Sequence, residues 1–166
     1  MTENSDVNTD ALAELKNSIR EQAHANRKAQ PDKDDVSRQI ISRFVSLPEY
    51  EAAQTVMFYV DVRAEVRTRH DLEGALEHGK RIVVPYCVDG ELELFHLEDM
   101  DELEIGMYRI LEPKAELRTV EEKRLQPTDL DLIMVPGVGF DRKGGRTGTA
   151  KDTTISCCSM HAWMPL

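Results

Sequence analysis

The sequence predicts a single α/β domain with a mostly parallel sheet flanked by helices. Apolar runs with strand character alternate along the chain with segments of helical periodicity, a pattern typical of such sheets. The length of 166 residues and the hydrophobic share of 40% are enough for one sizeable core. Because ligands in these folds bind beyond the carboxyl ends of the strands, the loops that follow strands are the candidates for function.

Local patterns predict the individual elements. A polar leader over residues 1–10 precedes the first helix, which Thr9 and Asp10 would cap. Helical spacing and flanking breakers predict three helices, over Ala11–Ala29, Pro31–Leu47 and Thr68–His78, and Gly79 is expected to end the third in the left-handed conformation. Strand-forming runs predict four strands, over Thr55–Val60, Arg81–Val84, Glu91–Phe95 and Leu130–Val135, with a turn at Asp89–Gly90 between the second and the third. The acidic stretch between Asp99 and Gln126 has no clear period, so we expect irregular structure there.

Charge and apolar content exclude two classes of partner. The net charge of −10 argues against sequence-independent binding to nucleic acid, which needs a basic face. The chain has no run of about eighteen apolar residues, so we expect no membrane span. Its acidic start lacks the features of a signal peptide, and its three cysteines have no paired spacing. We therefore expect a cytoplasmic protein that binds neither nucleic acid nor membrane.

A glycine-rich segment follows the last predicted strand. It runs from Val135 to Arg146 and contains four glycines. Main-chain N–H groups of such a loop can bind a phosphate, and Arg142, Lys143 and Arg146 could neutralise it. An ordinary solvated turn explains the same residues equally well, because the glycine spacing matches no Walker or Rossmann fingerprint.

Two other candidate features lie earlier in the chain. Lys16 and Arg20 are four residues apart on the first predicted helix, so both project from one face and could bind a triphosphate. A solvated face shared with Glu14 and Glu21 is the commoner explanation of such a pair. Glu65 lies in the loop after a predicted buried strand, where α/β folds bind ligands, although loop carboxylates are usually only surface.

Histidine and cysteine spacing predicts no metal cluster. The other histidines are isolated, and Cys157, Cys158 and His161 provide an incomplete tetrahedral set. Cys87 is expected to pack as a small apolar residue after a strand.

Four segments of the chain resemble the 5-formyltetrahydrofolate cyclo-ligase family. The most specific is Asp131-Leu-Ile-Met-Val-Pro-Gly-Val-Gly-Phe-Asp141 with Gly144 and Arg146. The other three match in order and spacing: the Lys-x-x-x-Arg element at Lys16–Arg20, the strand and Glu-containing loop at Phe58–Thr68, and the Gly-x-x-x-Ile-x-Glu-Pro stretch at Gly106–Pro113. Together they cover residues 11–148, which would be an incomplete cyclo-ligase-like domain.

The resemblance implies a ligase that needs ATP and Mg²⁺, and we expect the protein to be a monomer. Such an enzyme converts 5-formyltetrahydrofolate to 5,10-methenyltetrahydrofolate and releases ADP and phosphate. Val60 and Glu65 would contact the folate. The residues that would bind ATP are Lys16, Asn17, Ser18, Ile19, Arg20, Arg146 and Gly148.

The chain departs from the family pattern after Gly148. The family continues into a glycine-rich stretch that ends Gly-Tyr-Tyr-Asp, whereas residues 149–166 are unrelated to it. Shifting the codons of residues 148–161 by one base allows them to encode His-Gly-Lys-Gly-Tyr-Tyr-Asp-Lys-Leu-Leu-Gln-His-Ala. We therefore interpret the tail as the product of a one-base frameshift near Gly148, which removed the C-terminal part of the domain.

This interpretation separates descent from activity. We expect the 166-residue chain to be weakly active or inactive, because the lost loop would have bound the transferring phosphoryl group. The alternative is a non-catalytic, truncated remnant that binds folate or a nucleotide. A sugar-phosphate isomerase or lactonase is a further alternative, but only the fold class supports it.

Overall fold

A computed structural model of the protein describes residues 3–106 and 109–147. Its helices are α1 (Glu3–Ala29), α2 (Lys33–Val45), α3 (Pro48–Ala52) and α4 (Arg69–Leu76). Its strands are β1 (Thr55–Met57), β2 (Arg81–Val88), β3 (Glu91–Leu97), β4 (Leu103–Ile105), β5 (Leu111–Pro113), β6 (Arg124–Leu125), β7 (Leu132–Ile133), β8 (Gly139–Phe140) and β9 (Arg146–Thr147). Short 3₁₀ turns connect several of the later strands.

The described residues form two compact units. The first contains residues 3–31 and 137–147, which supply α1 and the β8–β9 hairpin. Within it, the Arg27 guanidinium donates a hydrogen bond to the carbonyl of Gly137. The second unit contains the remaining described residues, from 32 to 136, and holds the main sheet.

The main sheet confirms the predicted α/β class. Its five strands lie in the order β6-β3-β2-β1-β7. β1 pairs in parallel with β2 and β7, whereas β3 is antiparallel to β2 and β6. Four of the five strands therefore run in the same direction, as the mostly parallel prediction requires. Val56 at the centre of β1 lies opposite Ile82 on one side and Leu132 on the other.

The two faces of the sheet bury separate sets of side chains. On one face, α2, α3 and α4 pack their apolar residues against the strands. Phe44 of α2 contacts both Tyr50 of α3 and Phe58 edge to face, with ring centroids 5.4 Å apart in each pair. The opposite face buries a smaller cluster that includes Met57 and Val83. Because successive strand residues point to opposite faces, adjacent residues such as Val56 and Met57 enter different clusters.

Several element boundaries differ from the prediction. Helix α1 begins at Glu3, so the predicted leader is largely helical and Thr9 and Asp10 lie inside the helix. Pro48 follows α2 but also begins α3, because the first turn of a helix tolerates its missing N–H.

The strand ends differ for reasons of pairing. β2 continues through Pro85, where β3 is its only neighbour, since pairing with β1 stops at Val83. A proline is tolerated where one side of the strand is unpaired. β1 stops at Met57 and β7 is only two residues long, so both are shorter than their apolar runs. The predicted turn at Asp89–Gly90 is confirmed, with φ values of 51° and 88°.

Candidate functional site

The loop between β1 and α4 occupies the position where α/β sheets bind ligands. β1 lies between two parallel neighbours, so the carboxyl ends of β2, β1 and β7 meet at one edge of the sheet. Phe58 extends the chain beyond β1 and donates its N–H to Val83 at 2.9 Å. The following residues form the loop to α4, which we call the substrate loop (residues 60–68). It contains both residues for which the resemblance implies folate binding.

Glu65 is half-buried and held by a tight turn in the substrate loop. Its Oε2 accepts the N–H of Val62 at 2.9 Å, and its own N–H donates to the Val62 carbonyl at 3.1 Å. Arg63 lies between these two residues with a φ of 57°, in the left-handed region. These reciprocal bonds fix the direction of the Glu65 carboxylate, as a preorganised binding group requires.

The side chain of Val60 is buried rather than exposed at the surface. Its side chain is 6% exposed and belongs to the main core cluster. The side chain therefore anchors the start of the substrate loop in the core.

Asp61 is a residue of this loop that the sequence reasoning missed. Its carboxylate is buried and accepts the N–H groups of Thr68 at 3.1 Å and Arg69 at 3.0 Å. The Arg69 guanidinium also forms an ion pair with it at 3.1 Å. Burial alone would raise the pKa of Asp61, but the hydrogen bonds and charge of Arg69, with the Thr68 N–H, lower that pKa below its ordinary value. The sequence signal that could have found Asp61 is an acidic residue shortly before the predicted start of a helix.

The residues predicted to bind phosphate that are described lie in the first unit. Lys16, Asn17, Ser18 and Ile19 are exposed on α1, and Arg20 is partly buried. Arg20 donates from Nη1 to the Asn17 side chain at 2.9 Å. Arg146 is partly buried on β9 of the same unit. Cationic side chains of this kind suit a polyanion such as a triphosphate. Gly148 lies outside the described residues.

The glycine-rich segment forms an ordinary solvated turn, which was the alternative to a phosphate-binding loop. The Asp141 carboxylate accepts the N–H groups of Lys143 and Gly145, both at 2.7 Å. The Asp141 N–H in turn donates to the Gly145 carbonyl at 2.9 Å. The carboxylate also lies where a β-carbon at position 145 would be, so a side chain there would displace it. These N–H groups are engaged by the chain itself, which disfavours the phosphate-binding interpretation of residues 141–145.

The described residues do not fit a metal site of their own. Residues 3–106 and 109–147 contain no group of three or more His, Cys, Asp or Glu side chains that could hold an ion. Cys87, expected to pack as an apolar residue, is instead exposed on β2 with a free thiol.

The fold and the candidate residues define the class of protein. A half-buried carboxylate follows the central parallel strand of an α/β sheet, and the chain supplies cations for an anionic ligand elsewhere. Among the described residues, no helix is both long enough and apolar enough to cross a bilayer. These features define an α/β protein whose candidate ligand-binding residues lie in the substrate loop and on α1.

The comparisons then give the family. The model of the 5-formyltetrahydrofolate cyclo-ligase family matches residues 12–162, so the chain belongs to that family. A probable 5-formyltetrahydrofolate cyclo-ligase of Schizosaccharomyces pombe is 35% identical over 121 residues, which cover 71% of this chain and 58% of the relative. The 5-formyltetrahydrofolate cyclo-ligase of Mus musculus is 25% identical and is aligned over 90% of this chain and 73% of its own length.

Solved structures agree with the fold. The NMR structure of Aquifex aeolicus 5,10-methenyltetrahydrofolate synthetase has a TM-score of 0.74 and 29% identity, covering 87% of this chain and 72% of that one. A 5,10-methenyltetrahydrofolate synthetase from Mycoplasma pneumoniae has a TM-score of 0.61 at 19% identity, covering 89% of this chain and 79% of that one, and shows the fold alone.

The relatives bear on the predicted truncation and location of the protein. The chain spans about 58% of the length of the Schizosaccharomyces pombe relative, and the family match runs past Gly148 to residue 162. The frameshift hypothesis concerns residues outside the described ranges and stays a prediction. An Arabidopsis thaliana relative is named as mitochondrial, so the cytoplasmic location expected here stays a prediction. The expected monomeric state also stays a prediction.

Proposed function

We propose that this protein descends from, and retains the binding sites of, an ATP-dependent ligase that converts 5-formyltetrahydrofolate to 5,10-methenyltetrahydrofolate with release of ADP and phosphate. The observation that carries the proposal is the placement of Glu65. This carboxylate is oriented by Val62 at the carboxyl end of the central parallel strand, in a chain matched by the family model.

The chemistry divides the work between ATP and the chain. An amide-like formyl carbon is a poor electrophile, and ATP supplies the phosphoryl group that turns its oxygen into a leaving group. The chain contributes binding and orientation, which bring the neighbouring folate nitrogen towards the formyl carbon. In this proposal Glu65 holds the folate and Val60 supports the substrate loop from the core, while Lys16, Arg20 and Arg146 bind the phosphates as cations.

We further propose that the 166-residue chain turns over slowly or not at all. Family members continue after Gly148 with glycines, two tyrosines and an aspartate, whereas this chain continues Thr149-Ala150-Lys151-Asp152. Loss of a single preorganised donor to a transition state typically lowers the rate by about 10²–10³. A chain that binds folate but reacts slowly is the expected result.

Turnover and binding are measured together to test the proposal. Loss of 5-formyltetrahydrofolate with ATP is followed for this chain, and the mouse relative serves as the positive control. We expect turnover at least about a hundredfold below the control, together with a rise in melting temperature on adding 5-formyltetrahydrofolate. Turnover equal to the control contradicts the proposal that loss of the glycine-rich stretch after Gly148 slows the reaction. Absence of both turnover and stabilisation contradicts the folate assignment.

The frameshift proposal has its own test in the gene. The coding DNA across codons 146–150 is read in an independent isolate, and the other frame is followed downstream. We expect that frame to encode the glycine-rich stretch and then the C-terminal part of the family. A reproducible sequence with no such frame contradicts the proposal.

A further inference from the structure

We propose that Asp61 and Arg69 are positioning residues that hold the substrate loop in the conformation that receives the folate. This inference rests on the proposed function, because it concerns how Glu65 is presented to that ligand. No comparison assigns a role to either residue. Four observations on the loop support it.

The first observation is that the two ends of the loop are tied directly together. The Asp61 carboxylate accepts from the N–H groups of Thr68 and Arg69, at 3.1 and 3.0 Å. The Thr68 hydroxyl donates to the carbonyl of Tyr59 at 2.6 Å. Residues at the end of β1 are therefore joined to the first residues of α4. The intervening six residues, 62–67, form a closed loop that contains Glu65.

The second observation concerns how α4 is capped. Thr68 is at the N-cap position, where a threonine hydroxyl usually accepts a main-chain N–H. Here that hydroxyl is turned towards Tyr59 and makes no cap bond. Asp61, seven residues earlier in the chain, instead accepts the N–H groups of Thr68 and of Arg69, the first residue of the helix. A local cap would have satisfied the helix alone, whereas this arrangement also fixes the loop.

The third observation is the bidentate character of the Arg69 contact. Its Nε lies 3.2 and 3.1 Å from the two carboxylate oxygens of Asp61, and its Nη2 donates to the Asp61 carbonyl at 2.9 Å. The guanidinium therefore holds both the side chain and the main chain of Asp61. The Asp61 side chain is 3% exposed and that of Arg69 is 34% exposed. Since a buried ion pair adds little net stability compared with apolar residues, stability alone does not account for it.

The fourth observation links this clamp to the binding residue. The Tyr59 hydroxyl donates to the carbonyl of Val66 in the closed loop at 2.9 Å, and Val66 directly follows Glu65. Glu65 is in turn bonded to Val62, the residue after Asp61. Movement of Asp61 would thus shift Val62, whose N–H holds the Glu65 carboxylate. Misplacing a binding group by about 1 Å can cost about a hundredfold in function.

Three variants separate positioning from folding. Asp61→Asn keeps an oxygen that can accept the Thr68 and Arg69 N–H groups but faces Arg69 without a charge. Arg69→Gln leaves Asp61 intact and removes the guanidinium, and Arg69→Lys restores only the charge. The control is Arg124→Gln on β6, which removes the ion pair to Glu93 of β3, and two strands separate β6 from β1.

Each chain is titrated with 5-formyltetrahydrofolate by calorimetry well below its melting temperature, and amide hydrogen exchange of the Glu65 and Thr68 N–H groups is measured without ligand. We expect Asp61→Asn and Arg69→Gln to bind about tenfold or more weakly, with faster exchange in the substrate loop. Arg69→Lys should recover part of the affinity, and Arg124→Gln should match the wild type in both measurements.

Two results overturn the inference in distinguishable ways. If the wild type binds but the folded Asp61→Asn and Arg69→Gln variants bind equally well, the ion pair is only structural and the proposed function stands. If the wild type itself does not bind 5-formyltetrahydrofolate, the proposed function fails and this inference fails with it.

Discussion

Single residues in this protein acquire their properties from partners that the fold brings beside them. Tyr86 shows this on β2, where its buried hydroxyl donates to Glu93 Oε2 at 2.5 Å. Burial, and then the hydrogen bond and charge of Glu93, raise the pKa of Tyr86 to about 12. The folded protein therefore keeps this phenol neutral at a pH where the unfolded chain ionises it.

The Tyr86 contact predicts a specific alkaline response. Because the folded pKa lies above the unfolded value, its contribution to stability is full below about pH 10. That contribution is lost as pH rises towards about 12. The Tyr86→Phe variant lacks the hydroxyl, and we expect it to be about 1 kcal/mol less stable at pH 8.

Urea unfolding at several pH values checks this response. The difference in unfolding free energy between wild type and Tyr86→Phe should shrink between pH 10 and pH 12. A constant difference over that interval contradicts the account of Tyr86.

At the scale of elements, the ends of α4 are fixed by main-chain conformation as much as by side chains. Asp61 caps the start from outside the helix, and Gly79 follows its end with a φ of 69°. The sequence predicted a left-handed glycine at that position, and the structure confirms it. Gly74 lies inside α4 with ordinary helical geometry and, like Gly79, has open space around its α-carbon.

The two glycines form a matched pair for an alanine test. Gly79→Ala should destabilise the protein by about 1 kcal/mol, because a side chain disfavours the left-handed conformation. Gly74→Ala should stabilise it by about 0.5–1 kcal/mol, since alanine is the better helix former. Thermal or urea unfolding of both variants measures the two signs. Equal changes in both would contradict the assigned conformations.

Local signals predicted these element ends, but pairing over long distances was harder to foresee. The Asp89–Gly90 turn and the Gly79 helix end are encoded within a few residues, so their chemistry is visible in the sequence. Strands β4, β5 and β6 have only two or three residues each and lie in the stretch predicted to be irregular, where β4 pairs with β5, and β6 pairs with the longer β3. Such short strands have no detectable period, and their partners determine them.

The candidate site shows the same division. The resemblance led to Glu65, because that residue belongs to a recognisable motif. The Asp61–Arg69 ion pair was not predicted, since a charged loop residue and a charged residue at a helix start, eight positions apart, give no periodic signal. Only the turn of the substrate loop brings them within 3.1 Å of each other.

At the scale of the whole molecule, stability of the second unit depends on the aromatic cluster beneath the substrate loop. Phe58 is 1% exposed and contacts Phe44 and Tyr50 from α2 and α3. Replacing it leaves a cavity at the point where both helices meet β1. We expect Phe58→Ala to lower the unfolding free energy by about 3–5 kcal/mol.

Ile105→Ala is the matched control for that substitution. Its side chain is 74% exposed on β4, so the change should alter stability by less than about 0.5 kcal/mol. Urea unfolding of both variants checks the contrast. Similar losses in the two would contradict the position of the core.

The central claim is that the substrate loop receives the folate through Glu65, and calorimetric titration with 5-formyltetrahydrofolate tests it most directly. The wild type should bind saturably, and Glu65→Ala should bind at least about tenfold more weakly. Glu122→Ala, which removes an exposed carboxylate of the same unit, should bind like the wild type. Wild-type affinity in Glu65→Ala, with saturable binding in both chains, would contradict the claim.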